Sequence, residues 1–324
     1  RASDFYIGMR RHFIVNFGGG VLPLGHFVSA MAQRQHVAPY SVHTTFQYGG
    51  APGKRHRLRE AMLWEEADPA SYYAPAQGVL AYEPDLPASL LHPSGGMTAS
   101  GHVALMQHQL RQLRAALALA HALGRLLVLP TLACGFDKYW ANLNLAGVIP
   151  SAHAWAAPIG GACPAWAIGG TCPSTSHSCP LDHMLNPAEL KPSPAAYVRE
   201  WSFLRHPRLP PSFAPTAALR SAVNLDQGAA EMRRLRAAAA ARVLIVTNLP
   251  RIAEPLWRQG ERYRRHGGGG RAFLPDGAAA NELLLSPREW RSFKKTFAGL
   301  QGGWCCAPAG QKPRAAGFHV MHTV

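Results

Sequence analysis

A long amphipathic helix runs directly into a short apolar strand near the middle of this chain. In "GHVALMQHQLRQLRAALALAHALGRLLVLP", apolar residues from Val103 to Ala120 recur every three or four positions, which predicts one helix of about 22 residues. Gly124 ends this helix, and "RLLVLP" is a continuously apolar run typical of a parallel strand covered on both faces. The unit predicts an α/β fold with a parallel sheet.

A second unit of the same kind lies further along the chain. "AEMRRLRAAAAARVLIVTNLP" predicts a basic helix that leads into a strand from Val243 to Thr247. The two units assign residues 101–306 to a Rossmann-like α/β domain. Within it, residues 150–180 are small and cysteine-containing, which indicates an insertion loop, and residues 307–324 follow as a tail.

The N-terminal third divides differently. Residues 67–100 are rich in Pro, Gly and Ser with only patches of apolar pattern, which predicts a linker. Residues 1–66 then form a separate unit. In it "HFIVNF" predicts one strand, and "VAPYSVHTTF" predicts another that carries His43 to a Gly-rich turn, after which "RHRLREAMLWEEA" has helical character.

The chain of 324 residues is strongly basic, with a formal charge of +15 and a pI near 10.1. Such a surface attracts anions such as nucleotides, nucleic acid, acidic glycans or membrane headgroups. A general bias towards Arg and Ala is the alternative explanation of the charge. The basic residues are not interleaved with aromatic residues in a stacking pattern, which argues against nucleic acid as a partner.

The cysteines favour an oxidising compartment. Their C-x8-C-x6-C spacing after Cys163 fits no common zinc pattern, so disulfides in a secretory lumen are favoured over free buried thiols. The connectivity stays open, and Cys134 with Cys179 is one possible pair. No run approaches the roughly 20 apolar residues of a membrane helix. The six cysteines are Cys134, Cys163, Cys172, Cys179, Cys305 and Cys306.

The stretch "VHTTFQYGGAPGKRHRLRE" contains the parts of a phosphate site. His43 ends a predicted strand, glycines let backbone amides approach an anion, and Lys54 supplies a point charge. It is not a Walker loop, because Arg55 stands where Ser or Thr is required. Arg55, Arg57 and Arg59 spread around a helix axis, so they do not all face one phosphate. A basic turn with a structural His is the alternative.

This stretch resembles the block that ends the nucleotide-diphospho-sugar transferase domain of plant and green-algal glycosyltransferase family 77. Four later segments are similar to further blocks of that family, in the expected order. Within that family, the segments are most similar to arabinosyltransferases that act on hydroxyproline-rich extensins. The segments are "ALALAHALGRLLVLPTLACGFDKYW", "CPLDHMLNP", "VREWSFLRHPRLP" and "FKKTFAGLQGGWCC".

The resemblance implies a fold and a chemistry. Residues 1–66 would be the C-terminal end of a GT-A domain, and 101–306 a Rossmann-like, fucosyltransferase-like α/β domain. The protein would transfer a pentose, L-arabinofuranose, from a UDP-sugar to hydroxyproline-linked glycans of cell-wall glycoproteins, with Mn²⁺ or a similar divalent metal. Its full-length form would be a type II membrane protein of the Golgi lumen, held by an anchor absent from this chain.

The resemblance also implies site residues. His43 matches a metal ligand, and the residues matched to diphosphate contacts are Gly49, Gly50, Gly53, Lys54 and Arg55.

Two departures from the family pattern qualify this reading. The chain contains no Asp-x-Asp motif, and Glu66 and Asp68 read instead as a solvated helix end. The motif should also precede His43 by far more residues than this chain provides. We therefore expect a fragment or an inactive product, and the alternative function is a non-catalytic basic module that binds acidic glycan or a partner transferase. In the central helix, Arg111 and Arg114 are expected on the solvent face.

Overall fold

The computed structural model describes residues 14–17, 20–22, 41–43, 50–60, 62–64, 68–94, 99–134, 177–179, 181, 184–185, 187–265, 283–298 and 300. Their strands are β1 (Ile14–Phe17), β2 (Gly20–Leu22), β3 (Ser41–His43), β4 (Val79–Tyr82), β5 (Leu126–Val128), β6 (Leu132–Cys134), β7 (His177–Cys179), β8 (Val198–Arg199), β9 (Leu219–Ser221) and β10 (Val243–Val246). Their helices are α1 (Gly50–Glu60), α2 (Ala70–Tyr73), α3 (Ala88–Leu91), α4 (Ala99–Ala122), α5 (Gly228–Ala237), α6 (Leu249–Arg265) and α7 (Pro287–Thr296). Within these ranges, no helix is long and apolar enough to cross a membrane.

Five of the described strands form a parallel sheet in the order β8-β5-β4-β10-β9. The connections β4 to β5, β5 to β8 and β9 to β10 all run the same way across this sheet, whereas β8 to β9 returns from one edge to the other. Right-handed crossovers therefore put the first three connections on one face and the fourth on the opposite face. The sheet confirms the predicted α/β class.

The buried side chains follow this division because neighbouring strand residues point to opposite faces. On one face, Leu80, Leu127 and Leu244 pack with apolar residues of α4, α5, α6 and α7. On the other face, alternate strand residues pack with the aromatic rings of Tyr72 and Phe203. The sheet is thus covered on both sides, which explains why the three inner strands, β5, β4 and β10, are continuously apolar.

Helix α4 confirms the long central helix, with 24 residues from Ala99 to Ala122. It ends as predicted at Gly124, whose φ of 65° lies in the left-handed region that favours glycine. The solvent-face prediction for Arg114 is wrong, because only 4% of this residue is exposed. Its guanidinium lies 3.4 Å from the ring centroid of Trp257 in α6, so helix packing covers it.

The linker predicted over residues 67–100 is also corrected by the sheet. Strand β4 lies within that range, is fully buried, and pairs with β5 on one side and β10 on the other. Four apolar residues among prolines and glycines give too short a pattern to be recognised as a strand. The domain boundaries themselves stay predictions.

The N-terminal strands form a second sheet. The strands pair antiparallel in the order β2-β1-β3, as the apolar runs before His43 suggested. His43 ends β3 opposite Ile14. A further antiparallel pair, β6 with β7, sets Cys134 opposite His177 and Cys179 opposite Leu132, so the two cysteines are not direct cross-strand partners.

Candidate functional site

The predicted site residues fall at the start of α1. The sequence predicts a Gly-rich turn here with a helix only after it, and this is wrong, because the helix already begins at Gly50. The residues Gly50, Gly53, Lys54 and Arg55 are therefore helical. Pro52 is tolerated there because first-turn amides have no intrahelical partner. Gly49 and the His43 side chain lie outside the described residues.

The first turn of α1 has the chemistry of an anion contact. Helix N-terminal amides carry a partial positive charge, and no acidic residue stands in this first turn. Gly53 is buried, Lys54 is half-buried and Arg55 is exposed. Gly50, Gly53 and Lys54 are thus brought together, while Arg55 lies on the solvent side of the helix.

The buried side of α1 is polar. Its buried residues recur at the spacing of one helix face, and they are Gly53, His56, Arg57 and Glu60. Arg55 is exposed and Arg59 half-buried, so the three arginines spread around the axis as predicted. An apolar stripe normally seats a helix on its core. Here ionisable side chains take that place.

Glu60 connects this face to the α/β domain. Its Oε1 accepts a hydrogen bond from the backbone N–H of Leu181 at 2.9 Å and lies 3.6 Å from Nε2 of His56. Its Oε2 lies 3.9 Å from Nε of Arg57. Glu60 is only 4% exposed, so a carboxylate has been taken out of water for these contacts.

Arg59 makes the strongest single link. Its Nε donates to Oδ2 of Asp68 at 2.7 Å, and its Nη2 donates to the other carboxylate oxygen. Its guanidinium also lies 4.3 Å from the ring centroid of Tyr72. Burial alone lowers the pKa of Arg59, but the hydrogen bond to Asp68 and the nearby Tyr72 outweigh burial, so the pKa is raised. The solvated-end prediction for Asp68 is wrong, since the residue is 4% exposed and ion-paired.

Tyr72 extends the links to the end of β8. Its hydroxyl donates to Oε2 of Glu200 at 2.6 Å, in a buried contact. Burial, and then the adjacent Glu200 carboxylate, raise the pKa of Tyr72 well above its ordinary value. The Arg199 guanidinium lies 4.0 Å from the same ring, and burial lowers its pKa. Ser202 donates to the backbone oxygen of Arg59 at 3.1 Å, which closes the network.

We call this set the α1 network. Its members are His56, Arg57, Arg59, Glu60, Asp68, Tyr72, the backbone N–H of Leu181, Arg199, Glu200 and Ser202. Three of the segments that carry the resemblance meet in it: the one ending in α1, the one containing Leu181, and the one beginning at Val198. Segments more than a hundred residues apart therefore share one buried charged cluster, which is the kind of place where functional sites are found.

A second polar region lies at the carboxyl end of the sheet and was missed by sequence reasoning. Glu83 and Asp85 directly follow β4, the central strand, where parallel sheets commonly bind ligands. The buried amide of Gln112 holds this loop: Asp85 N–H donates to Oε1 at 3.0 Å, and Nε2 donates to the Asp85 oxygen at 2.8 Å. Glu83 is ion-paired with Arg220. The signal in the sequence was the polar pair after an apolar run.

A cavity of about 190 Å³ lies at the opposite end of the sheet. Tyr197, Phe297 and His121 line it together with Arg125. Arg125 directs its Nη atoms at the backbone oxygens of residues 79, 238 and 241, so its donors serve the fold. The cavity has no lining residue in common with the α1 network.

The described side chains do not form a metal centre. Among them, no group of three or more His, Cys, Asp or Glu residues could hold a metal ion. Glu60 and His56 lie 3.6 Å apart and could supply two ligands. The guanidinium of Arg57 lies 3.9 Å from Glu60, and its positive charge disfavours a metal cation there.

Comparison with known proteins finds one informative similarity. The chain is 37% identical over 209 residues to a protein named Arabinosyltransferase XEG113 from Arabidopsis thaliana. The match covers 60% of this chain but 29% of the relative, so the chain spans less than a third of that protein's length. No protein-family model matches the chain, and no solved structure matches it. The similarity supports the resemblance to arabinosyltransferases.

Proposed function

We propose that this chain is part of a glycosyltransferase of family 77 that transfers a pentose, L-arabinofuranose, from a UDP-sugar to hydroxyproline-linked glycans of cell-wall glycoproteins. The observation that carries the proposal is the similarity to an arabinosyltransferase together with the meeting of three resembling segments in the α1 network. In this proposal, residues 1–66 end a GT-A domain and the parallel sheet belongs to a Rossmann-like domain.

The first turn of α1 would contact the donor diphosphate. A sugar-nucleotide transferase must stabilise the negative charge of its leaving group, and helix amides with a lysine can do this without moving. Gly50 and Gly53 have no side chain that would obstruct an anion at the first turn, of which Gly53 lies on the buried side, and Lys54 adds a full charge. Gly49 would precede this turn in the proposal, and Arg55, on the solvent side of α1, would attract the diphosphate by its charge.

His43 would be one ligand of a divalent metal such as Mn²⁺, which would offset the charge of the diphosphate. Mn²⁺ prefers several oxygen ligands, and the described side chains of this chain do not offer such a set. The described residues therefore do not complete a metal site, and α1 would act on the diphosphate through its amides and Lys54.

The compartment and the acceptor belong to the same proposal. A cell-wall glycoprotein acceptor and a cysteine content that favours disulfides both suit a Golgi enzyme, a type II membrane protein in its full-length form. The positive charge of the chain suits a diphosphate donor.

A transfer assay tests the proposal. Purified chain is incubated with UDP-arabinofuranose, Mn²⁺ and a hydroxyproline-linked arabinoside, and the products are followed by mass spectrometry. We expect addition of one pentose, or slow release of UDP, and loss of either in the Lys54→Ala variant. The His43→Ala variant should weaken the Mn²⁺ dependence of UDP binding. Normal turnover by both variants would refute the assigned site.

A non-catalytic binding module is the second candidate. It is favoured by the strong positive charge of the chain, which attracts an acidic glycan whether or not the chain turns over a donor. The same assay separates the two functions, because a binding module retains UDP or an acidic glycan without forming product.

A further inference from the structure

Helix α1 cannot be held in place by hydrophobic burial. Its 11 residues include only Ala51 and Leu58 as non-cyclic aliphatic side chains, and Ala51 is exposed. An isolated helix of this length is marginal in water. The polar contacts on the second half of α1 therefore carry much of what holds the helix in position.

The contacts of Arg59 come from the side of the parallel sheet. Asp68 and Tyr72 belong to the segment that leads into β4, and Glu200 directly follows β8. Asp68 binds Arg59 of the last turn of α1 directly. Glu200 acts on the same residue through Tyr72, whose hydroxyl donates to it and whose ring contacts the guanidinium. Lys54 precedes Arg59 by five residues, which is about 7.5 Å along the helix axis.

The first turn of α1 is thus held in place by the buried polar contacts of Asp68, Tyr72 and Glu200, which we call the mount. Each carboxylate is 4% exposed or less and has a specific donor, so each fixes a direction as well as a distance. If the mount loosens, the amides of the first turn and the Lys54 ammonium lose their common alignment. A ligand bound by several such groups is sensitive to a shift of about 1 Å.

We propose that Asp68 and Glu200 are positioning residues that hold α1, through Arg59 and Tyr72, in the orientation needed to bind the donor diphosphate. The inference rests on the proposed function for the diphosphate contact. In this inference the parallel-sheet domain holds the donor site in position, and two carboxylates outside the predicted site do so directly.

Hydrogen exchange of the full chain tests the mount. In Asp68→Asn, we expect the amides of residues 50–60 to exchange about tenfold faster, because losing a charged hydrogen bond favours local opening. The amides of β10 should keep their protection, which shows that the sheet is intact. Tyr72→Phe removes a single hydroxyl and should act in the same direction if Asp68→Asn fails to fold. The matched control is Glu254→Gln, which breaks an exposed ion pair with Arg258 in α6.

UDP binding tests whether the mount serves the ligand. With Lys54 present, Asp68→Asn should weaken UDP binding about tenfold, whereas in a Lys54→Ala background the loss should be several-fold smaller, because only the first-turn amides remain to be misaligned. This non-additivity is not expected from a purely structural residue. Glu254→Gln should leave UDP affinity unchanged.

The outcomes separate the two claims. Unchanged exchange of α1 in both Asp68→Asn and Tyr72→Phe overturns the positioning role, whatever happens to UDP. Faster exchange with unaltered UDP affinity also overturns it, because the carboxylates are then merely structural. Failure of the unmodified chain to bind UDP refutes the diphosphate contact, and the exchange data alone then decide whether Asp68 and Glu200 hold α1.

Discussion

Replacing Arg59 by Met should expose how much stability the buried ion pair contributes. In the native protein the guanidinium meets both oxygens of the Asp68 carboxylate, and the two side chains are 12% and 3% exposed. Arg59→Met keeps much of the aliphatic stem but leaves the carboxylate without its counter-charge. An uncompensated buried charge of this kind costs about 3–5 kcal/mol.

A second substitution, Asp68→Asn, should change the free energy of unfolding in opposite directions in the native and Arg59→Met backgrounds. Asp68→Asn should destabilise the native protein, because it breaks the same pair. In the Arg59→Met background it should instead stabilise, because a buried amide without a full set of partners costs only about 1–3 kcal/mol. The double variant should therefore be more stable than Arg59→Met by about 2 kcal/mol.

Urea unfolding followed by tryptophan fluorescence measures these differences. The control is the exposed pair of Arg258 and Glu254, whose side chains are 70% and 49% exposed. Removing either partner there should change the free energy of unfolding by less than about 1 kcal/mol, and the two changes should add. If Asp68→Asn lowers the stability of the Arg59→Met variant, the pair is not the buried electrostatic link described above.

Two further predictions concern the helical face of the sheet. Gly260→Ala should destabilise the protein by about 1–2 kcal/mol in urea unfolding, although alanine favours a helix by about 1 kcal/mol. The added Cβ would lie 2.6 to 2.8 Å from ring atoms of Trp290, which is fully buried, and equal or higher stability would contradict this packing. Burial, offset in part by Glu289, lowers the pKa of His121, so its contribution to stability is present above the unfolded pKa near 6.5 and is lost as pH falls below it. Between pH 7.5 and 5.5 the unfolding midpoint should therefore fall more for the unmodified protein than for His121→Gln, and an equal fall would remove His121 as the cause.

The parallel-sheet part of the fold was readable from sequence where patterns were long. Helix α4 and strand β5 followed from apolar periodicity and a stop at Gly124, and strand β10 from a continuous apolar run. Strand β4 was missed because four apolar residues between prolines carry too little periodicity. Its place at the centre of the sheet depends on pairing with strands that are distant in sequence.

The candidate site was less predictable for a different reason. Arg59 and Asp68 are nine residues apart, and Tyr72 and Glu200 are 128 apart, so no local spacing joins them. Charged residues normally face solvent, so the sequence predicts solvent exposure for Asp68 and Arg114. Both are buried because of tertiary partners that no local pattern reveals, the Arg59 guanidinium for Asp68 and the Trp257 indole ring for Arg114.

Isothermal titration of the chain with UDP in the presence of Mn²⁺ tests the donor-site assignment most directly. The account predicts saturable binding to the unmodified chain, at least about tenfold weaker binding by Lys54→Ala, and no change for Lys295→Ala, an exposed lysine of α7. Equal affinity of the Lys54→Ala and unmodified chains, or no binding by either, would contradict a diphosphate contact at the start of α1.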